Sequence, residues 1–306
     1  MNLFAGELRR VLGRRLVRVL ALLAVGAAAL AGVLVFVNTE AVPAGELAAR
    51  RQAAQARVDQ CLRGGAAPID GRPVAGPPAG SPDREEFCRF VTGRVDDSRF
   101  RLTSLKGVLQ GTTAAGVVAA WLIGASVIGS GWQTRTITTL LTWEPRRVRV
   151  LATKAAACVV VAVAFLVLGQ ALLSAALLPS ALLHGATAGA DAEWFRSVAG
   201  VMLRGALLVS IATAIGFSVA AIGRNTAAAL GIGFAYFVIV ENVVGGFLEG
   251  FRRWLLLGNA IVLVSGEDGG GEVFGRTVTV AAAYLTVVGV GLLAAAAALF
   301  KRRDVG

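Results

Sequence analysis

Six long apolar runs constrain this chain more than any other feature of its sequence. They cover roughly residues 19–37, 108–128, 155–178, 198–222, 226–248 and 278–300. Each run has 19 to 25 residues, which as a helix is enough to cross about 30 Å of hydrocarbon. Because lipid offers the backbone no hydrogen-bond partners, runs this long and continuous must be helical. The sequence therefore predicts an all-α polytopic membrane protein with six transmembrane helices, forming a single transmembrane domain over residues 1–306.

The distribution of Lys and Arg predicts how these helices are oriented. An even number of spans places both termini on one side, which holds 14 cations and only three acidic residues, whereas the other side carries equal numbers of each. Short basic loops mark the cytoplasmic face. We therefore expect a multi-pass protein of the plasma membrane with cytoplasmic N- and C-termini. The net charge of +11 is then explained by topology and by contact with anionic membrane lipid, and we predict no nucleic-acid partner.

Residues 1–16 precede the first span and have the pattern of an interfacial helix. Four apolar residues share one helical face beside three arginines: Phe4, Leu8, Val11 and Leu12, with Arg9, Arg10 and Arg14. Such a segment lies along a leaflet with its apolar side in the lipid. A disordered basic tail is the alternative.

Residues 38–107 form a large extracellular loop, in which two helical stretches flank a tract rich in Gly and Pro. Cys61 lies near the end of the first stretch and Cys88 near the start of the second. Because the outer side is oxidising, we predict a Cys61–Cys88 disulfide that closes a helical hairpin, worth about 3 kcal/mol on chain-entropy grounds. Two free thiols are the alternative.

A second extracellular loop, residues 249–277, contains an apolar piece of 11 residues at 254–264. This piece is too short to span a bilayer, so we expect a re-entrant or interfacial segment before the last helix.

Two charges fall inside predicted spans, Arg204 in the fourth and Glu241 in the fifth. Both lie six or seven residues from the outer end of their helices, which places them at similar depth. Because intramembrane charges are costly unless paired or facing a cavity, we predict an Arg204–Glu241 ion pair. The pair could act as a structural clip between helices or as a polar gate.

Catalytic and metal-binding motifs do not occur in the sequence. None of the three Lys follows a Gly, which excludes a phosphate-binding P-loop, and the single His184 cannot build a His-based metal or catalytic site. We therefore predict a protein that is not itself an enzyme, with no catalytic residue, no metal and no directly bound cofactor.

Residues 131–154, GWQTRTITTLLTWEPRRVRVLATK, interrupt the apolar chain between spans two and three. Ile137, Leu140 and Leu141 share one helical face, but the Thr residues around them are mediocre helix formers. A free helix of this length is marginal in water and needs a partner. Pro145 favours the first turn of a second helix that carries Arg146 and Arg147 toward the lipid headgroups.

This segment resembles the permease subunits of ABC transporters of the ABC-2 type. The residues that match are Trp132, Thr136, Leu140, Leu141, Thr142, Trp143, Glu144, Pro145, Arg146, Arg147 and Lys154. The basic first helix, the large loop after span one and the short apolar piece before span six are also similar, so the resemblance covers nearly the whole chain.

The resemblance implies an export subunit whose residues 132–154 form a cytoplasmic coupling segment. Ten residues are implied to contact the ATPase: Trp132, Thr136, Ile137, Leu140, Leu141, Trp143, Glu144, Pro145, Arg146 and Arg147. It also implies two copies of a separate cytoplasmic ATPase, which bind ATP and Mg, and a second permease copy, identical or related. The cargo would be amphipathic or hydrophobic. An ion-coupled secondary transporter, a membrane-embedded enzyme and a structural or sensory membrane protein are the alternatives.

Overall fold

Six helical runs in the computed structural model are long and apolar enough to cross a membrane, which confirms the six predicted apolar helices in a nearly all-helical fold. Their bounds are Arg15–Asn38, Leu102–Gln133, Arg147–His184, Ala192–Gly223, Thr226–Phe247 and Val278–Arg302. The structure describes residues 3–40, 42–63, 67–69, 72–74, 77, 81–92, 99–134, 136, 146–247, 249–266 and 276–302. The first four runs extend beyond their apolar stretches at both ends, because helix formation continues where polar residues still form backbone bonds.

The helices are labelled in chain order. They are α1 (Leu3–Leu12), α2 (Arg15–Asn38), α3 (Ala44–Leu62), α4 (Pro82–Thr92), α5 (Leu105–Gln133), α6 (Arg147–Pro179), α7 (Ala192–Gly223), α8 (Thr226–Ala235), α9 (Leu256–Ser265) and α10 (Val278–Arg302). Two wider π-helical stretches, Ser180–His184 and Tyr236–Val244, continue α6 and α8.

The chain divides into two compact units. The first comprises Met1–Ala31, Thr103–Ala176 and Gly189–Gly306, and the second comprises Gly32–Leu102 and Leu177–Ala188.

Helices α5 and α7 form the tightly packed centre of the first unit. A Cβ atom built on Gly124 of α5 would lie 2.4 Å from the carbonyl oxygen of Thr213 in α7, and one built on Gly216 of α7 would lie 2.7 Å from the carbonyl oxygen of Trp121. Small residues allow helix backbones to approach this closely, and packing of this kind drives helix association in membranes.

The turn between α7 and α8 is set by two residues. Arg224 adopts the left-handed conformation with φ of 54° at the end of α7. Asn225 then caps α8, its side-chain oxygen accepting a hydrogen bond from the backbone N–H of Ala227 at 2.8 Å. This short turn brings the start of α8 directly beside the end of α5, where a Cβ on Gly129 would collide with Thr226.

The second unit contains the loop hairpin that the sequence predicts. A disulfide joins Cys61 at the end of α3 to Cys88 in α4. The buried guanidinium of Arg84 donates from Nε and Nη2 to the carbonyl oxygen of Cys61, at 3.1 and 2.7 Å, and from Nη1 to the carbonyl of Pro77. A cation at the C-terminal end of α3 complements the helix dipole.

A short antiparallel hairpin lies between α3 and α4, within the tract rich in Gly and Pro for which no strand was predicted. Its strands, β1 (Ala67–Ile69) and β2 (Arg72–Val74), pair with Ala67 opposite Val74 and Ile69 opposite Arg72. The signal that sequence reasoning missed is the Asp-Gly dipeptide between the two strands, which is typical of two-residue hairpin turns.

Candidate functional site

The segment between α5 and α6 is the first candidate site, and the structure describes its two ends. Trp132 lies in the last turn of α5, Thr136 is helical and exposed, and the hydroxyls of Thr134 and Thr136 contact each other. Arg146 precedes α6 and Arg147 begins it. The other predicted contact residues lie outside the described residues: Ile137, Leu140, Leu141, Trp143, Glu144 and Pro145.

The end of α5 is held by the α7–α8 turn and by α10. The indole of Trp132 meets the ring of Phe300 edge-on, with centroids 5.8 Å apart, and the guanidinium of Arg224 lies 4.9 Å from the centre of the Trp132 ring. One residue further on, Gln133 Nε2 donates to Asn225 Oδ1 at 3.1 Å. The cation–π contact and the aromatic pair each contribute about 1 kcal/mol. The segment between α5 and α6 therefore begins at a helix end that packs against both the α7–α8 turn and α10.

The start of α6 is held by a buried ion pair with α1. Lys154 Nζ donates to Glu7 Oε2 at 2.8 Å, and the Lys154 and Glu7 side chains are only 7% and 3% exposed. The second oxygen of Glu7 accepts from Arg10 Nη1, also at 2.8 Å. Charges buried in apolar surroundings are stable only when paired in this way. The pair joins residues that are 147 positions apart in the chain.

Arg14, at the junction of α1 and α2, contacts the last turns of α5. Its guanidinium donates to the carbonyl oxygens of Ser126 at 2.8 Å and Val127 at 3.2 Å, and to the hydroxyl of Ser130 at 2.7 Å. A cation near the C-terminal end of a helix complements the helix dipole. Burial lowers the pKa of the Arg14 guanidinium from its ordinary value, and the carboxylate of Glu7 opposes that shift.

Helix α1 packs among other helices more closely than an interfacial location alone would require. Val11 is fully buried, and Phe4 and Leu8 pack against the same apolar cluster as Leu151 of α6. Glu7 was not predicted as a site residue from the sequence. The available signal was its position, because an acidic side chain on the same helical face as Phe4 and Val11 needs a buried partner.

Arg204 and Glu241 form the second candidate site, but the predicted ion pair between them is not formed. Glu241 Oε1 accepts a hydrogen bond from the backbone N–H of Leu257 at 2.8 Å. Arg204 lies elsewhere, against Gly266, where an added Cβ would be 2.6 Å from its Nη2. Similar expected depth in neighbouring helices was therefore not sufficient to predict contact, because the short helix α9 takes the hydrogen bond of Glu241 at one end and lies beside Arg204 at the other.

The two charges lie at opposite ends of α9. At its N-terminus, Tyr236 Oη accepts from the backbone N–H of Leu256 at 3.2 Å, beside the bond from Leu257 to Glu241. At its C-terminus, Gln110 Nε2 donates to the carbonyl oxygens of Val264 and Ser265, both at 3.3 Å, near Arg204. The first N–H groups and last C=O groups of a helix lack partners within the helix. An acid at the first end and a cation at the second also match the helix dipole.

We expect Glu241→Gln and Arg204→Met to destabilise the protein independently, by about 1 kcal/mol each. The positions they affect, Leu257 and Gly266, are separated by about 13 Å along α9, so the losses in the double variant should add to within about 0.5 kcal/mol. The measurement is unfolding of the purified protein by SDS or heat. Arg196→Met, an exposed change in α7, is the control. A coupling energy well above 1 kcal/mol would show that Arg204 and Glu241 interact directly.

Within the described part of the chain, no three His, Cys, Asp or Glu side chains form a group that could hold a metal ion.

One protein-family model matches residues 87–306, and its description is a protein of unknown function, DUF2705. The match includes α5 to α10 and therefore every contact of α9 described above. A search of curated proteins finds no match.

Proposed function

We propose that this chain, which belongs to the DUF2705 family of proteins of unknown function, is the membrane-spanning permease subunit of an ABC exporter. Its helices form the translocation path, and a separate cytoplasmic ATPase supplies the energy. Two ATPase subunits bind ATP and Mg, and a second permease copy, identical or related, completes the pore. The protein lies in the plasma membrane with both termini in the cytoplasm, and its cargo is amphipathic or hydrophobic.

The observation that carries this proposal is the segment of residues 132–154. Its sequence has the ABC-2 pattern, and its apolar residues Ile137, Leu140 and Leu141 need a partner surface because a short Thr-rich helix is marginal alone. The contacts of Trp132 and Lys154 support the same function, since they hold the two ends of the segment to packed helices. A docking element must be attached rigidly if displacement of its surface is to move the spans.

The absence of a P-loop from the sequence is consistent with a permease whose nucleotide is bound by a separate ATPase chain. The basic residues around the segment, including Arg146 and Arg147, are suited to anionic lipid headgroups at the cytoplasmic surface. Export of an amphipathic or hydrophobic cargo fits spans that contain few charges.

Leu140→Asp and Ile137→Asp are each expected to reduce retention of the ATPase by at least tenfold, because a charge is introduced into the apolar docking face. The measurement is the molar ratio of ATPase to permease after co-expression with ABC ATPase subunits from the same genome and affinity purification. Thr138→Asp adds the same charge beside that face and is the control. ATPase retention unchanged by both Asp variants at the docking face would exclude the coupling role, and a permease that retains no ATPase would favour a secondary transporter or a sensory protein.

A further inference from the structure

The N-terminal helix α1 is bound to both helices that flank the proposed docking segment. Its Glu7 pairs with Lys154 of α6 at 2.8 Å, and Arg14, two residues after α1 ends, bonds three oxygen atoms of α5. These contacts are distant in sequence and close in space. Helix α1 therefore bridges the end of α5 and the start of α6.

The Glu7–Lys154 contact is suited to transmitting movement. Exposed ion pairs exchange readily with water and are screened by salt, but this pair is buried. Separating its members would leave the buried Lys154 ammonium without a carboxylate and Glu7 with Arg10 as its remaining partner. Val11 adds a fully buried apolar contact on the same side of α1. A displacement of the start of α6 therefore carries α1 with it.

The connection from α1 to α2 is short. Helix α1 ends at Leu12 and α2 begins at Arg15. Within it, the backbone N–H of Arg14 donates to the carbonyl of Val11 at 3.2 Å, and that of Arg18 donates to the carbonyl of Arg14 at 3.1 Å. A two-residue junction with continuous backbone bonds leaves little freedom between the two helices, so α2 follows α1.

We propose that the Glu7–Lys154 pair is the joint through which movement of α6 reaches the first span, with α1 acting as a strut between α6 and α2. The inference rests on the proposed function, since an ATPase that docks between α5 and α6 supplies the movement. Glu7 and Lys154 are positioning residues. They contact neither cargo nor nucleotide, and they determine whether α2 moves together with α6.

Spin labels test this inference in the purified complex of permease and ATPase, trapped with ATP and vanadate. Cysteines replace three exposed residues, Leu23 in α2, Val160 in α6 and Leu203 in α7, in a Cys158→Ala background that keeps the Cys61–Cys88 disulfide. In the otherwise unaltered chain, trapping should change both the 160–203 and the 23–203 distances. In Glu7→Gln and Lys154→Met, the 160–203 change should persist, while the 23–203 change falls to less than a third.

The charge-reversed double variant, Glu7→Lys with Lys154→Glu, should restore the 23–203 change. If the single variants do not fold, this double variant tests whether the Glu7–Lys154 pair links α6 to α2. Arg10→Gln is the control, because Arg10 bonds Glu7 within α1 and links no second helix. An undiminished 23–203 change in the single variants, or its absence in a folded charge-reversed variant, would overturn the strut. If the unaltered permease retains no ATPase, or trapping moves neither label pair, the proposed function fails and the strut fails with it.

Discussion

Gly124→Ala is expected to disrupt the packing of α5 on α7 and to remove most of the correctly folded protein. The new methyl group would lie 2.4 Å from the carbonyl oxygen of Thr213 and 3.0 Å from the backbone nitrogen of Phe217. Both are backbone atoms of a long helix, which cannot move aside as the end of a flexible side chain can. Overpacking usually costs about 1–3 kcal/mol, and we expect the upper end of that range or more.

The matched control is Gly111→Ala in the same helix, because nothing lies within 4 Å of the position that its Cβ would occupy. The measurements are the monodisperse fraction in size-exclusion chromatography and the midpoint of thermal unfolding in detergent. Gly111→Ala should match the unaltered protein in both. Equal behaviour of the two Ala variants would show that α5 and α7 do not approach as closely as the structure describes.

Lys154→Met is expected to lower the free energy of unfolding by about 3–5 kcal/mol, because it leaves the buried Glu7 carboxylate without its main partner. Glu7→Gln should lower the free energy of unfolding by a similar amount, because it leaves the buried Lys154 ammonium without its carboxylate partner. The double variant should be closer to the unaltered protein than either single variant, since no buried charge then remains unpaired.

A double-mutant cycle by SDS-induced unfolding measures this coupling. Arg10→Gln is the control, and because the Arg10 side chain is 56% exposed it should cost less than about 1 kcal/mol. Strictly additive losses for Glu7 and Lys154 would contradict a direct pair. This prediction concerns stability alone and holds whether or not an ATPase is the partner.

Both experiments concern contacts that a transport function would use. Because Glu7 and Arg14 tie α1 to α6 and α5, the proposed ATPase would act on all three helices through the segment between α5 and α6. Helix α9 is held by hydrogen bonds at both ends, since its first N–H groups donate to Tyr236 and Glu241 and its last carbonyl oxygens accept from Gln110.

The helices themselves were predictable because their signal is local. A run of about 20 apolar residues must become a helix in lipid whatever surrounds it, so the six spans were predicted within a few residues of each apolar core. The Cys61–Cys88 pairing was also accessible, since the loop contains only these two Cys. The β1–β2 hairpin was missed because its strands are three residues each, too short for a periodic signal.

The amino-acid sequence by itself determined that this is a membrane protein with six spans and that residues 132–147 differ from the apolar helices around them. Only the tertiary structure decided which charges meet. Arg204 and Glu241 were expected at similar depth but lie at opposite ends of α9, whereas Glu7 and Lys154 are 147 positions apart and form the buried pair. The physical reason is that burial in lipid is a property of each segment taken alone, while the partner of a buried charge depends on how segments from distant parts of the chain pack together.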